Sequence, residues 1–362
     1  MAFVKEHGID LTVVGPEQPL SEGIVDVFES EGLKIFGPSK AAAELEGSKA
    51  FSKNLMKKYN IPTASYQTFT DLNDAISWIK KIDTPFVVKA DGLAAGKGVV
   101  ICNTVLEGEQ ALSSIMKDKI FGAAGSEVVI EEFLTGEEAS FFVFTDGKDF
   151  VELQSSQDHK AVFDGDKGPN TGGMGAYSPA PIVNEQLRKK ITDTVVVPTI
   201  KAMASEGRTY KGILYIGLMI KDQNIKVLEY NCRFGDPEAQ PLLFRLKSDI
   251  VPIFDSIASS KPVQKNLEWK TGFSVCVVMA SNGYPRSYEK GYEIGGLEIS
   301  NNKDEAYIFH AGTKFNENKV VTNGGRVLGV TALGSDLVST IEKAYALVSK
   351  IDCPALFYRN DI

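Results

Sequence analysis

The chain has 362 residues, which is too long for a single hydrophobic core and predicts two or three domains. Its hydrophobic content of 43% is typical of water-soluble globular proteins, and its net charge of −8 excludes a broad basic surface for nucleic acid. Anionic substrates remain possible, because a small phosphate site needs only local Lys, Arg and backbone N–H groups.

Cysteine and histidine usage argues against a metal cluster and against a disulfide framework. Cys102, Cys232, Cys276 and Cys353 are widely spaced in mostly apolar surroundings, which favours a reducing compartment. The sequence contains three histidines, too few for a His-rich metal site. No stretch is typical of a membrane span or a signal peptide. We therefore expect a cytoplasmic monomer with small-molecule substrates and with neither a nucleic-acid nor a membrane partner.

The first 38 residues predict helix, strand, helix and strand. An apolar run at Ile9–Val14 is followed by helical spacing over Leu20–Ser30 and a second strand at Leu33–Phe36. This is most of a βαβ repeat, which normally belongs to a larger parallel sheet, so the chain is expected to open inside a domain. The turn Gly15–Leu20 follows the first strand, at the edge where open α/β sheets bind ligands.

The central part of the chain mixes both periodicities. Helical spacing predicts a helix pair over Ala41–Tyr59 and helices at Asp71–Lys81, Leu106–Met116, Glu185–Glu206 and Pro237–Leu246. Strands are predicted at Pro85–Ala90, Val99–Cys102, Glu127–Glu131 and Ala139–Thr145, with a hairpin of Ile213–Ile220 and Lys226–Tyr230. Residues 164–181 are rich in Gly, Pro, Asn and Asp, and we expect an ordered functional loop there.

The last hundred residues predict a small α+β domain. Short strands at Phe273–Met279 and Glu305–Ile308 precede a glycine turn at Asn323–Gly325 and a helix at Leu337–Lys350.

The strand that ends at Asn231 carries the first candidate site. Glu229 and Asn231 are two positions apart, so their oxygen atoms point to the same face, and Arg233 continues that face. Two hard oxygen donors suit Mg²⁺, and a guanidinium suits a phosphate or carboxylate. The alternative is a surface strand with scattered charge.

A glycine-rich segment follows the strand Pro85–Ala90. Lys89 lies at the end of that strand, and Lys97 lies between Gly96 and Gly98. Glycines let backbone N–H groups approach phosphates, and the lysines add positive charge. The spacing is not that of a Walker A motif, and an ordinary glycine-rich turn is the alternative.

The next candidate is a strand whose backbone is expected to offer an edge for adenine. It is the run Val128–Leu134, and Glu138 follows as a carboxylate able to bind both ribose hydroxyls. The alternative for this run is an ordinary core strand.

Together these motifs resemble the ATP-grasp superfamily and, within it, the glycinamide ribonucleotide synthetase family, the phosphoribosylamine–glycine ligases of purine biosynthesis. The likeness extends over nearly the whole chain, through Gly15–Leu20, Glu46–Lys49, Gln157–Lys160, Gly168–Tyr177, Asn231–Glu238, His310–Thr313 and Thr322–Val327. Each motif is weak alone, and their order and number make the match specific.

The resemblance implies an ATP-dependent ligation in which glycine reacts to glycyl phosphate and 5-phosphoribosylamine then displaces phosphate. Such chemistry needs positioning and charge neutralisation more than a protein nucleophile. It implies catalytic roles for Arg233, at the acyl phosphate, and for Lys89. The implied ATP contacts are Lys49, Lys89, Gly96, Lys97, Gly98, Glu131, Glu132, Leu134 and Glu138. Glu229 and Asn231 would bind Mg²⁺ or Mn²⁺, and the substrate side would include Glu17, Asp158, His159, Lys160, Asn170 and Arg233.

The resemblance also implies the domain plan, an α/β and α+β multidomain fold. We expect a truncated Rossmann-like domain at 1–45, an ATP-grasp domain at 46–260 with subdomains of about 62–135 and 136–260, and a C-terminal α+β domain at 265–362. The family begins with an earlier strand and glycine-rich loop and continues slightly beyond residue 362, so we expect ATP binding to survive in this chain and ligation to be reduced. Tyr215–Met219 also lacks the second metal carboxylate of many ATP-grasp enzymes. The alternatives are another ATP-grasp carboxylate–amine ligase and a nucleotide-binding form that is inactive through truncation.

Overall fold

The computed structural model describes residues 1–93, 98–298 and 305–362. In this part of the chain the α-helices are α1 Ala2–Glu6, α2 Glu17–Glu22, α3 Ile24–Ser30, α4 Lys40–Gly47, α5 Lys49–Lys58, α6 Leu72–Ile79, α7 Val105–Leu112, α8 Glu185–Ile191, α9 Val197–Ser205, α10 Ala239–Arg245, α11 Val251–Ala258 and α12 Leu337–Val348. Two π-helical turns, Ser113–Lys117 and Thr192–Val196, extend α7 and join α8 to α9, and Gly122–Ser126 is a 3₁₀ turn.

The strands of the same residues, in chain order, are β1 Thr12–Val13, β2 Ile35–Phe36, β3 Tyr66–Phe69, β4 Phe86–Ala90, β5 Val99–Cys102, β6 Val128–Glu132, β7 Glu137–Thr145, β8 Phe150–Glu152, β9 Gln157–Asp158, β10 Ala161–Phe163, β11 Lys167–Asn170, β12 Gly175–Ser178, β13 Gly212–Lys221, β14 Asn224–Asn231, β15 Phe273–Ser281, β16 Ala306–His310, β17 Thr313–Asn316, β18 Lys319–Thr322, β19 Arg326–Gly334 and β20 Leu356–Phe357.

These elements form two compact units. The first unit contains Met1–Leu153, Ile182–Phe234 and Asp249–Asn266. The second contains Gln154–Pro181, Gly235–Ser248 and Leu267–Ile362. Each unit therefore combines segments that are distant in sequence.

The βαβ repeat predicted at the start of the chain is present in the first unit. β1 and β2 pair in parallel, with Thr12 opposite Ile35. The predicted helix Leu20–Ser30 is instead two helices, because Gly23 between them has a φ of +96°, which ends α2. Leu20 and Phe28 are buried in the core of this unit.

A four-stranded antiparallel sheet follows, in the order β3-β6-β4-β5. Helix α6 begins at Asp71, whose carboxylate accepts hydrogen bonds from the N–H groups of Asn73 and Asp74. Apolar side chains of α6 and α7 pack with β4 and β6 in one core. β6 is thereby an inner strand with a neighbour on each side, and the sequence analysis missed β3, one of those neighbours.

The second four-stranded sheet of this unit has the order β14-β13-β7-β8, and the predicted hairpin is β13 and β14. The predicted long helix Glu185–Glu206 is α8 and α9 with a π-helical turn between them. Its apolar side chains pack against this sheet in the largest core of the unit. The ladder of β13 and β14 shifts register between Gly217 and Leu218, where β14 has one extra residue, Leu228.

The second unit is built on a six-stranded sheet in the order β16-β19-β15-β12-β9, with β20 beside β15. α12 packs on β15 and β19 in a common core. The expectation of a loop over residues 164–181 is wrong in part, because β11 and β12 lie there, and β12 joins the main sheet next to β15. Turn-forming composition concealed these two strands.

In the described ranges, no helix is both long enough and apolar enough to cross a bilayer.

Candidate active site

The first lysine predicted to bind phosphate begins a helix. Lys49 is the first residue of α5, and Ser48 caps that helix by accepting a hydrogen bond from the N–H of Phe51. Asp91, at the end of β4, accepts from the N–H of Ala50 at 2.9 Å and from the Ser48 hydroxyl at 3.2 Å. Lys49 Nζ donates to the carbonyl of Gly92 at 2.9 Å. The helix start and the strand end are thus joined, and both predicted lysines, Lys49 and Lys89, lie where they meet.

Burial affects the charge of Lys49. It lowers the pKa of the ammonium group, the nearby Glu229 opposes this effect, and Lys89 adds to it. These interactions show that Lys49, Lys89 and Glu229 share one electrostatic environment. The site already holds more than one positive charge, which is what a polyphosphate requires.

Lys89 is held by a buried carboxylate. Its Nζ lies 3.1 Å from Oε2 of Glu131, and Lys53 Nζ lies 3.0 Å from the same oxygen. The side chains of Lys89, Lys53 and Glu131 are 9%, 3% and 2% exposed. Lys89 also donates to the carbonyl of Leu228 at 3.5 Å. The lysine at the end of β4 therefore reaches the strand that carries the predicted metal donors.

Fewer backbone groups are free to contact adenine than the sequence suggested. Glu131 pairs with Tyr66 of β3 and with Val87 of β4, so its backbone lies inside the sheet and is not free for a base. The Glu132 carboxylate accepts from the N–H of Ser65 at 2.8 Å. After Glu132 the chain leaves the sheet, and Leu134 is half-buried there. We correct the role of Glu131 accordingly, because its backbone completes the sheet and its side chain binds two lysines.

The remaining predicted nucleotide residues lie beside these strands. Glu138 is half-buried near the start of β7, opposite Met219. Gly98 is buried, and its carbonyl accepts from the N–H of Ala90 at 2.8 Å. Gly96 and Lys97 lie outside the described residues.

A bulge turns the predicted metal donors away from the core. Ile225 and Val227 face the core, and so do Tyr230 and Cys232, although a regular strand would alternate without a break. The extra residue Leu228 changes the phase, so that Glu229 and Asn231 face the other side. Gly217 lies opposite Glu229, where a Cβ would be 3.3 Å from Glu229 Cγ, and the missing side chain leaves room for the carboxylate.

The donor set fits a metal that is only partly coordinated by protein. Among residues 1–93, 98–298 and 305–362, no three His, Cys, Asp or Glu side chains converge in a metal-binding group. One carboxylate and one amide oxygen suit a hard cation that takes its other ligands from water and phosphate. Glu229 and Asn231 would hold such an ion, which would neutralise phosphate charge.

Arg233 is anchored between two carboxylates. Its Nε lies 3.3 Å from Glu17 Oε2, and its Nη2 lies 3.2 Å from Glu46 Oε1. The other oxygen of Glu46 accepts from the N–H of Cys232 at 2.7 Å and from its thiol at 2.9 Å. Burial raises the pKa of Glu46, and Arg233 opposes that rise. The predicted pair Glu17 and Arg233 is therefore brought together, and Glu46 completes it.

The other predicted substrate residues lie in the second unit. Asp158 is on β9, and the N–H of His159 donates to Gly175 at 2.9 Å. Burial lowers the pKa of His159, and Arg359 adds to this effect, so the imidazole is neutral near pH 7. The carbonyl of Lys160 accepts from the N–H of Thr171 at 2.8 Å, and the exposed Asn170 lies opposite Ala161. A β-hairpin thus places these residues near one another.

Sequence reasoning gave no role to three residues that organise these sites. Lys53 and Glu46 are buried partners of predicted residues, as described above. Arg326, in the second unit, donates to the carbonyl of Gly172 at 2.6 Å and to the Asp236 carboxylate at 2.8 Å. Gly173 is also required there, because a Cβ would lie 2.2 Å from Pro237 Cδ. Lys53 is three residues after Ala50 and three before Met56, so helical spacing places it on the buried face of α5, and this position was the available signal.

Family comparisons account for most of the chain. The N domain of phosphoribosylglycinamide synthetase matches residues 1–46, its ATP-grasp (A) domain matches 47–239, and its C domain matches 274–362. The chain belongs to the phosphoribosylglycinamide synthetase family. The resemblance inferred from the sequence is confirmed.

Individual relatives agree with this assignment. Phosphoribosylamine–glycine ligases of Vibrio vulnificus and Salmonella typhimurium are each 50% identical to the chain, over 366 and 364 residues. The alignments cover the whole chain and 84% and 85% of those proteins. The ligase of Thermotoga maritima superimposes with a TM-score of 0.81 and 38% identity, over 91% of this chain and 81% of that one.

A more distant likeness concerns the fold alone. The biotin carboxylase domain of Hydrogenobacter thermophilus 2-oxoglutarate carboxylase, solved with MgADP, has a TM-score of 0.78 at 15% identity. It covers 98% of this chain and 77% of that domain.

The family settles the fold class and the type of enzyme. The chain has the three-domain architecture of the phosphoribosylglycinamide synthetases, which mixes α/β and α+β domains. Its function is that of this family, an ATP-dependent ligation in purine biosynthesis, and as an ATP-grasp ligase it uses ATP with a divalent metal ion. The predictions of fold class, family and ligase activity are confirmed.

Proposed function

We propose that the chain joins glycine to 5-phosphoribosylamine and that the reaction begins at the lysine and carboxylate cluster of the first unit. A carboxylate oxygen of glycine attacks the γ-phosphorus of ATP, and ADP leaves. The amine of 5-phosphoribosylamine then attacks the carbonyl carbon of glycyl phosphate, and phosphate leaves with the bonding electrons. The amine loses a proton, and glycinamide ribonucleotide results.

Each predicted residue has a role in this sequence. Lys49 and Lys89 hold the phosphates. Gly96 and Gly98 contribute through their backbone, and Lys97 contributes through its side chain. Leu134, which follows the end of β6, receives adenine together with the carbonyl of Glu132, since the N–H of Glu132 already donates to Ser65 at 3.0 Å. Glu138 receives the ribose. Arg233, held by Glu17 and Glu46, stabilises the negative charge of the acyl phosphate.

The acceptor residues complete the proposal. Asp158, His159, Lys160 and Asn170, all in the second unit, bind 5-phosphoribosylamine. Glu17, in the first unit, is a substrate residue through its ion pair with Arg233. His159 acts there as a neutral hydrogen-bonding group.

One observation supports the proposal more than the others. Lys89 donates to the carbonyl of Leu228, the residue next to Glu229. The charges of Lys89 and Glu229 both shift the pKa of Lys49, in opposite directions. Cations for phosphate and oxygen donors for a metal therefore occur together, which is the combination that phosphoryl transfer requires. Mg²⁺ or Mn²⁺ is the ion that we propose for Glu229 and Asn231.

Incubation of the chain with ATP, glycine and 5-phosphoribosylamine tests the reaction, with ADP and glycinamide ribonucleotide as readouts. We expect ADP formation that depends on all three substrates and on the metal. Replacing glycine with alanine or another small acid tests the alternative that the chain is a different carboxylate–amine ligase. ADP formed equally with the other acid would contradict the proposed substrate.

Other features remain proposals. The domain bounds are 1–45, 46–260 and 265–362, and limited proteolysis tests them. The cytoplasmic, monomeric state is tested by localisation of a tagged chain and by light scattering in solution.

A further inference from the structure

Lys53 is a buried lysine that the proposed reaction does not use. It lies in α5, one turn after Lys49, and its side chain is only 3% exposed. A lysine is almost never buried to this extent unless it is paired. Its partners are Oε2 of Glu131 at 3.0 Å and the hydroxyl of Thr63 at 2.7 Å.

The two partners connect Lys53 to both parts of the nucleotide site. Glu131 Oε2 also binds Lys89, at 3.1 Å. The Thr63 hydroxyl donates to the carbonyl of Val227 at 2.7 Å, and Val227 immediately precedes the bulge that turns Glu229 away from the core. The Lys53 ammonium group therefore contacts Glu131, which also binds Lys89. It also contacts Thr63, which binds the strand that carries Glu229.

The charges in this cluster do not cancel. Lys53 and Lys89 share the Glu131 carboxylate, so these three groups carry one net positive charge in surroundings that water hardly reaches, and Glu229 also acts electrostatically on Lys53. Burial lowers the pKa of Lys53 to about 8, and Glu131 counteracts that effect, so the group is still mostly charged near pH 7. Without Lys53, Lys89 and Glu131 would form a neutral pair, and a buried neutral pair attracts an anion much less than a surplus cation does.

We propose that Lys53 is a positioning residue for ATP, because it neutralises Glu131 and so keeps the positive charge of Lys89 available to the phosphate chain. This proposal rests on the proposed placement of Lys89 at the phosphates. Lys53 itself touches no phosphate in this arrangement. Its effect is transmitted through the shared carboxylate.

The test is calorimetric titration of the full chain with a non-hydrolysable ATP analogue and, separately, with adenosine. Lys53→Met should weaken binding of the analogue by about tenfold or more, since a charge is lost close to several phosphate oxygens. Adenosine, which has no phosphate, should bind nearly as well as to the parent. Lys57→Met is the matched control, because Lys57 lies one turn further along the same helix and is exposed. It should bind both ligands like the parent.

A second variant separates charge from packing. In Lys53→Met combined with Glu131→Gln, the Glu131 carboxylate no longer neutralises Lys89, and the net positive charge that the three groups carry in the parent is restored. Binding of the analogue should recover most of the loss. Thermal unfolding of both variants checks that each is folded, since Lys53→Met alone keeps the balanced pair of Lys89 and Glu131.

Two results would overturn the proposal. One is parent-like binding of the analogue by Lys53→Met. The other is an equal loss for adenosine and the analogue without recovery in the double variant, which would give Lys53 a packing role only. Lys89→Met is measured in parallel. If it binds the analogue like the parent, the phosphate site itself is misplaced and both proposals fail, whereas a weak Lys89→Met beside an unaffected Lys53→Met contradicts only the role of Lys53.

Discussion

The two groups of candidate residues differ in how firmly the fold holds them. In the first unit, Lys89, Glu131 and Arg233 are buried or half-buried, and each is bound by charged partners. In the second unit, Asn170 lies on β11, and all four residues of that strand are exposed. On the ATP side the candidate residues themselves thus form ion pairs. Asn170, by contrast, is exposed, and the hairpin that carries it is held by another residue, Arg359, which donates to the carbonyl of Ala161 at 3.0 Å and to the Asp166 carboxylate at 2.9 Å.

This difference predicts how strongly each group responds to substitution. Removing one charge from a buried ionic network strongly changes the electrostatic field at the ligand, because water screens it little there. Removing an exposed polar side chain releases only a hydrogen bond that water can replace. Four substitutions test this contrast.

Glu229→Gln should have the largest effect on turnover. The amide keeps the shape of the side chain and removes the negative charge that a hard cation needs. We expect a loss of roughly 10²–10³-fold in kcat at ordinary Mg²⁺ concentrations, with unchanged thermal unfolding. Asp222→Asn, in the turn of the same hairpin, is the control and should turn over normally. ATP turnover like that of the parent in Glu229→Gln would show that the metal assignment is wrong.

Lys89→Met should affect binding more than folding. Glu131 keeps Lys53 as its partner in this variant, so no carboxylate is left without a cation. We expect about a hundredfold weaker binding of a non-hydrolysable ATP analogue, which corresponds to about 2.7 kcal/mol. Calorimetric titration measures it, and thermal unfolding checks that the variant is folded. An unchanged affinity would place Lys89 outside the phosphate site.

Glu46→Gln should separate activity from stability. The amide loses the charge that orients Arg233, so we expect kcat to fall by about tenfold. Burial raises the pKa of Glu46 above its unfolded value, and the carboxyl group therefore favours the folded state most at acidic pH and loses that contribution as pH rises through the folded pKa.

The variant should accordingly be at least as stable as the parent at pH 7, and the part of the pH dependence due to Glu46 should disappear. Thermal unfolding of both proteins between pH 4 and 8 measures this. A variant that is both less stable at pH 7 and fully active would contradict the proposed role of Glu46.

The sequence predicted the parts of the fold that depend on local pattern. The parallel pair β1 and β2, the helices α4 and α5 and the hairpin of β13 and β14 follow from apolar spacing and turn residues. Strand β3 was missed because Tyr66–Phe69 is short and half-exposed, and its pairing with β6 depends on residues far away in sequence. β11 was concealed by its glycine and proline.

The candidate site also depends on contacts between distant segments that local sequence pattern does not reveal. Glu229 and Asn231 were expected on one face because they are two positions apart, and this reasoning was sufficient. That this face is not the core face depends on the bulge at Leu228, which no local signal marks. Glu131 was assigned through its backbone, and only the pairing of β6 with both neighbours showed that this backbone lies within the sheet while the side chain pairs with Lys53 and Lys89. Pair contacts between distant segments are what single-sequence reasoning lacks.

Asn170→Ala should have the smallest effect and thereby tests the contrast from its other end. Asn170 is the exposed last residue of β11, and its neighbour across the hairpin is Ala161. An exposed hydrogen bond to a substrate contributes roughly 0.5–1.5 kcal/mol, so we expect the KM for 5-phosphoribosylamine to rise by about 2–10-fold. Binding of the ATP analogue should stay the same, because Asn170 belongs to the acceptor group.

Lys167→Ala, at the exposed start of the same strand, is the control and should leave both the KM for 5-phosphoribosylamine and the affinity for the ATP analogue unchanged. Steady-state kinetics with varied 5-phosphoribosylamine gives the answer. A loss as large as that of Lys89→Met would mean that the second unit organises its site as firmly as the first, and the contrast between the two groups would then be wrong.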